Sequence, residues 1–252
     1  MVTIKNEKDI IALRVSGKIL ASVLRALKES TIEGVATIEL DKKARMLIQN
    51  AGAIPAFLGY APDEGSKPFP AAICASLNDV IVHGVPSKKP LKKGDILGID
   101  LGVNYRGYFT DAAITIEIGE ISQTARKLIQ ATEEALRRAI KACKRGNHLG
   151  DVGYEISETA KYYGFKIVKG LTGHGVGFAI HEDPTIYNQG KRGEGIILKS
   201  GYVLALEPMF STGSGEITKN KDESFATRDG SLSAHAEHTI LITDGEPEIL
   251  TL

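Results

Sequence analysis

Apolar residues recur near the helical period at Ile10, Ile11, Leu13, Ile19, Leu20, Val23, Leu24 and Leu27, so residues 6 to 29 read as an amphipathic helix. A second helix is expected from Thr37, read as its N-cap, through Leu40, Ala44, Leu47 and Ile48, with Gly52 as its stop. Residues 53 to 76 turn to proline, glycine and aromatics, and PDEGSKPFP reads as an insertion-like loop. From Ile73 the period becomes two, in ICASLNDVIVHGV, DILGIDLGV and GYFTDAAITIEI, which is the pattern of half-buried strands. A helix capped by Ser122 is expected to run to Arg145, and another to lie between Leu149 and Gly164. Short β segments follow: GFKIVKGL, GYVLALEPMF, SLSAHAEHTILIT and PEILTL. The order of helix, glycine and strand around Gly52 is echoed around Gly164, an echo that either a duplicated half or chance would produce. No linker, charge block or low-complexity tract divides residues 1 to 252, which read as one domain.

A chain of 252 residues can bury roughly three quarters of its unfolded surface, so no disulfide or structural metal is required to hold it. Thirty-one Lys and Arg against thirty-one Asp and Glu remove the overall charge that nonspecific binding to nucleic acid or a membrane surface would use. Apolar runs such as Gly195 to Leu198 fall far short of the ~20 residues of a spanning helix. The N-terminal stretch carries Lys5, Glu7, Lys8, Asp9, Arg14 and Lys18 and lacks the pattern of a signal peptide. Cys74 and Cys143 show no paired or metal-binding spacing, which suits a reducing cytoplasm.

The chemistry begins in DLGVNYRGYFTD, where Asp100 and Asp111 flank a turn. If Tyr105 and Arg106 form a two-residue loop, Asp100 lies directly opposite Asp111 on one face; a type I turn with a bulge at Gly107 would slip that register by one. Like charges facing each other on a sheet repel, and a bound cation would turn the penalty into attraction. The plainer alternative is that one Asp sits at an edge in water. GLTGHGVGFAIHEDP places His174 among glycines and His181 seven residues on. Glu207, in LALEPM, and Glu237, in SLSAHAEHTILIT, end or interrupt apolar strands, where an unpaired carboxylate loses solvation. Each alone could be salt-bridged. Together, four carboxylates and one histidine make oxygen-rich ligation, suited to two divalent ions of the Mn, Fe, Co or Zn kind and to metal-assisted hydrolysis. Four negative ligands balance two dications. His235 shares Glu237's face of the strand but stays outside this ligand set, and His148 reads as part of a helix cap.

Asp100 and Asp111 eleven residues apart, His174 in GHG, Glu207 in EP and Glu237 in EHT, with NDVIVHGVP upstream and HEDP downstream, together resemble the type I methionine aminopeptidases, over nearly the whole chain. The resemblance implies an α+β pita-bread fold: a curved antiparallel sheet with helices on its outer face, in pseudo-twofold halves. It also implies removal of an N-terminal methionine from peptides and nascent proteins when the second residue is small. By the same resemblance Asp100 chelates one metal ion, His174 and Glu207 bind the other, and Asp111 and Glu237 bridge the two. Glu207 is further implied as the proton shuttle, His83 as the contact to the peptide beyond the scissile bond, and His181 as a hydrogen-bond donor to the carbonyl oxygen. Tyr60, Phe69 and Cys74 match positions lining the methionine pocket. The expected partner is a peptide or nascent-chain N-terminus, met in transient contact with the ribosome, and the expected form is a monomer.

Three departures bear on pocket shape. Glu223 to Phe225 occupy a stretch where many relatives carry tryptophan, Ile180 replaces an aromatic, and the loop between Tyr60 and Phe69 looks longer than usual. Other readings are a proline-specific aminopeptidase or dipeptidase of the same fold, whose relatives usually add an N-terminal domain, and a metal-free binding protein, which would have lost ligands. A type II methionine aminopeptidase would need a helical insertion between Glu207 and Glu237.

Overall fold

A computed structural model of the protein describes residues 2–61 and 67–252, so the first part of the PDEGSKPFP stretch, residues 62–66, lies outside the described residues. The helices are α1 (Glu7–Ser30), α2 (Thr37–Asn50), α3 (Gln123–Ala142) and α4 (Leu149–Tyr163). In the first half the strands are β1 (Ile54–Pro55), β2 (Cys74–Leu77), β3 (Val80–Val82), β4 (Ile96–Tyr105) and β5 (Tyr108–Glu117). The second half adds β6 (Lys166–Ile167), β7 (Thr172–Gly175), β8 (Glu182–Tyr187), β9 (Val203–Leu206), β10 (Met209–Ser211), β11 (Ile217–Lys219) and β12 (Phe225–Thr227). It closes with β13 (Ser233–His235), β14 (Glu237–Leu241) and β15 (Glu248–Ile249).

Helix boundaries follow local chemistry. Asn6 caps α1, its side chain accepting from the Asp9 amide at 3.2 Å while the Asp9 carboxylate accepts from the Asn6 amide at 2.9 Å. Thr37 is not the cap of α2, as its sequence position suggested. Ala36 holds that place, and the Thr37 hydroxyl accepts instead from the Ser87 amide at 2.8 Å, tying the helix start to a distant loop. Ser122 does cap α3, through the Ala125 amide, but the helix stops at Ala142 rather than Arg145. Asn147 donates to the Ala142 carbonyl and so takes up one of the open acceptors of that last turn.

Nine strands form one antiparallel sheet in the order β1-β4-β5-β14-β9-β7-β8, with β2 on β4 and β15 on β14. The alternation of the strands gives it two unlike faces. Leu97, Ile99, Leu101 and Val103 point toward α1 and α2, packing with Leu20, Leu24, Leu40 and Ile48. Leu204, Leu206, Ile240 and Ile242 pack with α3 and α4 through Leu128, Ala135, Val152 and Ile156. Each half therefore lays two consecutive helices on the same side of the sheet, which leaves the odd-numbered positions of β5, β9 and β14 facing the other way.

The β4–β5 hairpin corrects the expected register. Tyr105 pairs with Tyr108, Asp100 with Ala113, and Gly102 with Asp111. Arg106 and Gly107 make the turn, both at positive φ, 55° and 88°, as a type I′ turn demands, with the Asn104 side chain accepting from the Gly107 amide. The two aspartates are thus diagonal neighbours rather than directly opposed. The shift is two positions, so they stay on one face.

GYVLALEPMF and SLSAHAEHTILIT are also not single strands. Each breaks, at Glu207–Pro208 and at Ala236, and passes from the nine-stranded sheet into a small sheet of β13, β10 and β6. Proline has no N–H to continue a ladder, so Pro208 ends β9 immediately after Glu207.

β5 and β14 pair only at Glu237–Ala113 and His238–Ala112. One step further the fully buried Thr239 hydroxyl replaces the ladder, donating to the Asp111 carbonyl at 2.7 Å and accepting from the Asp111 amide at 2.8 Å. Thr239→Val keeps the shape and leaves both backbone groups unpaired. It should cost about 2 kcal/mol in urea unfolding, and a loss indistinguishable from zero would show that this clamp does not hold the strands.

Candidate metal centre

Two adjacent rows cross the free face of the sheet. The first runs Cys74, Asp100, Ala113, Glu237, and the β9–β14 register extended by one step sets Glu207 beside Glu237. The second runs Gly102, Asp111, Thr239, Ala205, His174. The five proposed ligands therefore come from five neighbouring strands, and Ala113 and Ala205, which lie between them, are small. That smallness leaves room above the sheet.

The side chains converge. His174 Nε2 lies 3.4 Å from Glu207 Oε1 and 3.9 Å from Asp111 Oδ2. Asp111, His174 and Glu237 each offer a ligand atom within 4.8 Å of the others. Glu207, Glu237, Asp111 and Asp100 are enclosed by protein, and burial raises all four carboxyls above the ordinary range, with mutual repulsion adding to it at Asp100, Glu207 and Glu237. Asp111 is pushed up to about 7. Burial lowers His174 to about 4, so it stands neutral, as a ligand must.

Among the described residues, the buried side-chain nitrogen and oxygen atoms without a hydrogen-bond partner are Asp100 Oδ1, Asp111 Oδ1, Glu237 Oε1 and His235 Nε2. All four belong to this one place. Orphaned acceptors are otherwise costly in a protein interior, and here three of them point into one cavity. The donor set fits divalent cations: hard carboxylate oxygens with one imidazole, and a net charge that cations would cancel.

The cavity, about 470 Å³, is lined by all ten residues singled out from the sequence: Asp100, Asp111, His174, Glu207, Glu237, His83, His181, Tyr60, Phe69 and Cys74. Phe57, Tyr60, Phe69 and Cys74 supply an apolar side of its lining, and Ile180 packs in the same cluster. Gly102 is required beneath it, since a Cβ there would sit 2.8 Å from Ile180 and 2.9 Å from Ala56. Of the Glu223 to Phe225 stretch, Glu223 and Phe225 line the cavity, the Phe225 ring 5.7 Å from that of His83. The Cys74 thiol, enclosed and beside Asp100, is held well above its usual pKa and stays protonated.

His181 is positioned from behind. Tyr60 Oη meets its Nδ1 at 2.7 Å, and its ring lies edge-on to His174 with centroids 4.5 Å apart. The following Glu182 accepts from the Ala179 amide and pairs with the buried Lys5 at 2.5 Å, fastening the loop to the chain's N-terminal segment. Burial and the charges of His174 and His83 lower the His181 pKa. Phe57, behind an AIPAF run with no distinctive chemistry, was not legible as a pocket residue. Met209 was also missed, though its place two residues after Glu207 was a signal.

The sequence profile of metallopeptidase family M24 matches residues 11–244. The chain belongs to that family. Within it, the chain is 42% identical to a methionine aminopeptidase of Clostridium acetobutylicum over 254 aligned positions, covering all of this chain and 99% of that one. The crystal structure of methionine aminopeptidase from Rickettsia prowazekii superposes with a TM-score of 0.95 at 38% identity, each chain fully covered. A prolidase from Pyrococcus furiosus gives a TM-score of 0.78 at 26% identity, and this chain covers 65% of its length. The M24 matches agree with the pita-bread, α+β architecture, and the prolidase has a substantial further part that this chain does not match.

Metal uptake must displace protons from carboxyls whose folded pKa values are raised. Without metal, those groups contribute stability at low pH that is lost as pH rises through about 7, the Asp111 value, because the folded state then has to ionise them at close quarters. His174 titrates near 4 and takes no part between pH 6 and 8. The rise in melting temperature on adding excess Mn(II) to chelated protein should therefore be larger at pH 8 than at pH 6, measured by differential scanning fluorimetry. An equal rise at both would contradict the proton linkage.

Proposed function

We propose that the protein is a metal-dependent aminopeptidase that removes N-terminal methionine when the second residue is small. Asp100, Asp111, His174, Glu207 and Glu237 would hold two divalent ions, Co, Mn, Fe or Zn, with Asp111 and Glu237 shared between them. The observation that carries this reading is the group of orphaned carboxylate oxygens beside a closed apolar pocket, supported by full-length similarity to methionine aminopeptidases.

Bound ions would polarise the scissile carbonyl and make water a nucleophile at neutral pH. The chain's own residues do the rest. The apolar lining of Phe57, Phe69 and Cys74 accepts an unbranched thioether and leaves a charged side chain without partners. Glu207, at the cavity edge, takes a proton from the attacking water and gives it to the departing amine. A Tyr60 hydroxyl donating to His181 Nδ1 selects the tautomer with hydrogen on Nε2, the one able to donate to the carbonyl oxygen as charge builds there. His83, held at φ 59° on the pocket rim, borders the second residue of the peptide and crowds it. The free α-amino group is received near Asp100, which makes the enzyme an exopeptidase. We infer further that it acts as one 1–252 domain, as a monomer in the cytoplasm, on nascent chains in transient contact with the ribosome. In accord with that, no described helix is long and apolar enough to cross a membrane.

A tripeptide panel assayed with added metal tests the assignment. Met-Ala and Met-Gly starts should be cut, Met-Lys and Met-Leu starts spared, and an acetylated amine should abolish cleavage. Preference for an Ala-Pro start over Met-Ala would overturn the reading in favour of a proline-specific enzyme. His181→Ala should lower kcat far more than it raises KM, by a factor on the order of 10². A change in KM alone would remove His181 from the transition state.

A further inference from the structure

His235 occupies a place the chemistry above does not use. It ends β13, paired with Met209 of β10, and its backbone is fixed from the other side by Thr115, whose hydroxyl donates to the His235 carbonyl at 2.7 Å and accepts from its amide at 3.0 Å. The side chain is 3% exposed. Its Nε2 is sealed from solvent and has no hydrogen-bond partner, the one nitrogen among the described residues in that state. Two carboxylate oxygens face it: Glu207 Oε2 at 3.7 Å and Glu237 Oε2 at 3.8 Å.

The arrangement has a direction. Glu207 presents Oε1 to His174, which lines the cavity, and Oε2 to His235, which does not. An ion in the cavity meets the front of the two glutamates; His235 stands behind them. Resting on the metal-centre reading proposed above, we propose that His235 is a positioning residue, donating from Nε2 to the rear oxygens of Glu207 and Glu237 and so fixing the angle at which both carboxylates meet a bound ion. A carboxylate movement of about 0.7 Å brings either contact to the ~3.0 Å of an ordinary N–H···O bond. Both glutamate backbones are already fixed, Glu237 by its pairing with Ala113 and Glu207 by Asn188, which donates to its carbonyl at 3.0 Å, so a rear donor acts on the carboxylates alone. Partners of this kind, one step behind the ligands, commonly change metal affinity by 10- to 100-fold.

The test compares Mn(II) binding by isothermal titration calorimetry in the wild type, His235→Leu and His235→Gln, with the fold of each metal-free protein checked by circular dichroism. Leu fills the space without a donor, and Gln keeps one. The expected result is a 10- to 100-fold loss of affinity in His235→Leu, with most of it recovered in His235→Gln. A parallel measurement needs no substitution: in wild-type protein loaded with Zn(II), the imidazole ¹⁵N resonances should show His235 Nε2 carrying its hydrogen while His174 Nε2 does not. Wild-type affinity in His235→Leu, no recovery in His235→Gln, or a His235 Nε2 without hydrogen would each overturn the proposal and leave the metal centre standing. Failure of the wild type itself to take up metal would overturn both.

Discussion

Four carboxylates buried against one another on a single sheet face govern this structure. Desolvation raises the pKa of all four, and three of them carry, in addition, the repulsion of their neighbours. Such a group is tolerated in a folded interior when cations or donors answer it. Here the donors stop short: one oxygen each of Asp100, Asp111 and Glu237 is left without a partner.

The rest of the fold can be understood as support for that cluster. Helices cover one face of the sheet, and on the other the small Ala113 and Ala205, between the proposed ligands, leave a cavity over them. Thr239 clamps β5 to β14 where the backbone ladder ends, and Lys5 reaches from the first residues to Glu182 to hold the His181 loop. The apolar pocket shares its floor with the proposed ligands: Cys74 is the register partner of Asp100, and Gly102, the partner of Asp111, makes room for Ile180 and Ala56. The apolar pocket and the carboxylate cluster are thus built on the same two rows of residues.

Much of this was legible in the sequence because the signals were local. Hydrophobic period gave the four helices, acidic residues at β positions marked four of the five proposed ligands, and a glycine cluster marked His174. What was not legible depended on geometry that composition does not specify. The hairpin turn falls on Arg106–Gly107 although arginine at positive φ is unfavourable, and the sequence offered Tyr105–Arg106 as readily. Because the error was two residues, the aspartates kept their face; an error of one would have separated them. SLSAHAEHTILIT contains no glycine or proline, so no breaker announces that the chain changes sheets at Ala236, and that change is what brings His235 behind Glu207. Thr37 had the chemistry of a cap, but a tertiary partner, Ser87, claims its hydroxyl.

The central claim is that this carboxylate cluster is a cation site on which hydrolysis depends. Equilibrium dialysis of chelated protein against Mn(II) or Co(II), with bound metal counted by mass spectrometry and methionyl-peptide hydrolysis assayed on the same samples, tests it directly. The account predicts no activity without metal, its return as metal is taken up, and saturation at up to two ions per chain. Full activity after exhaustive chelation, or a protein that takes up no ion, would contradict it.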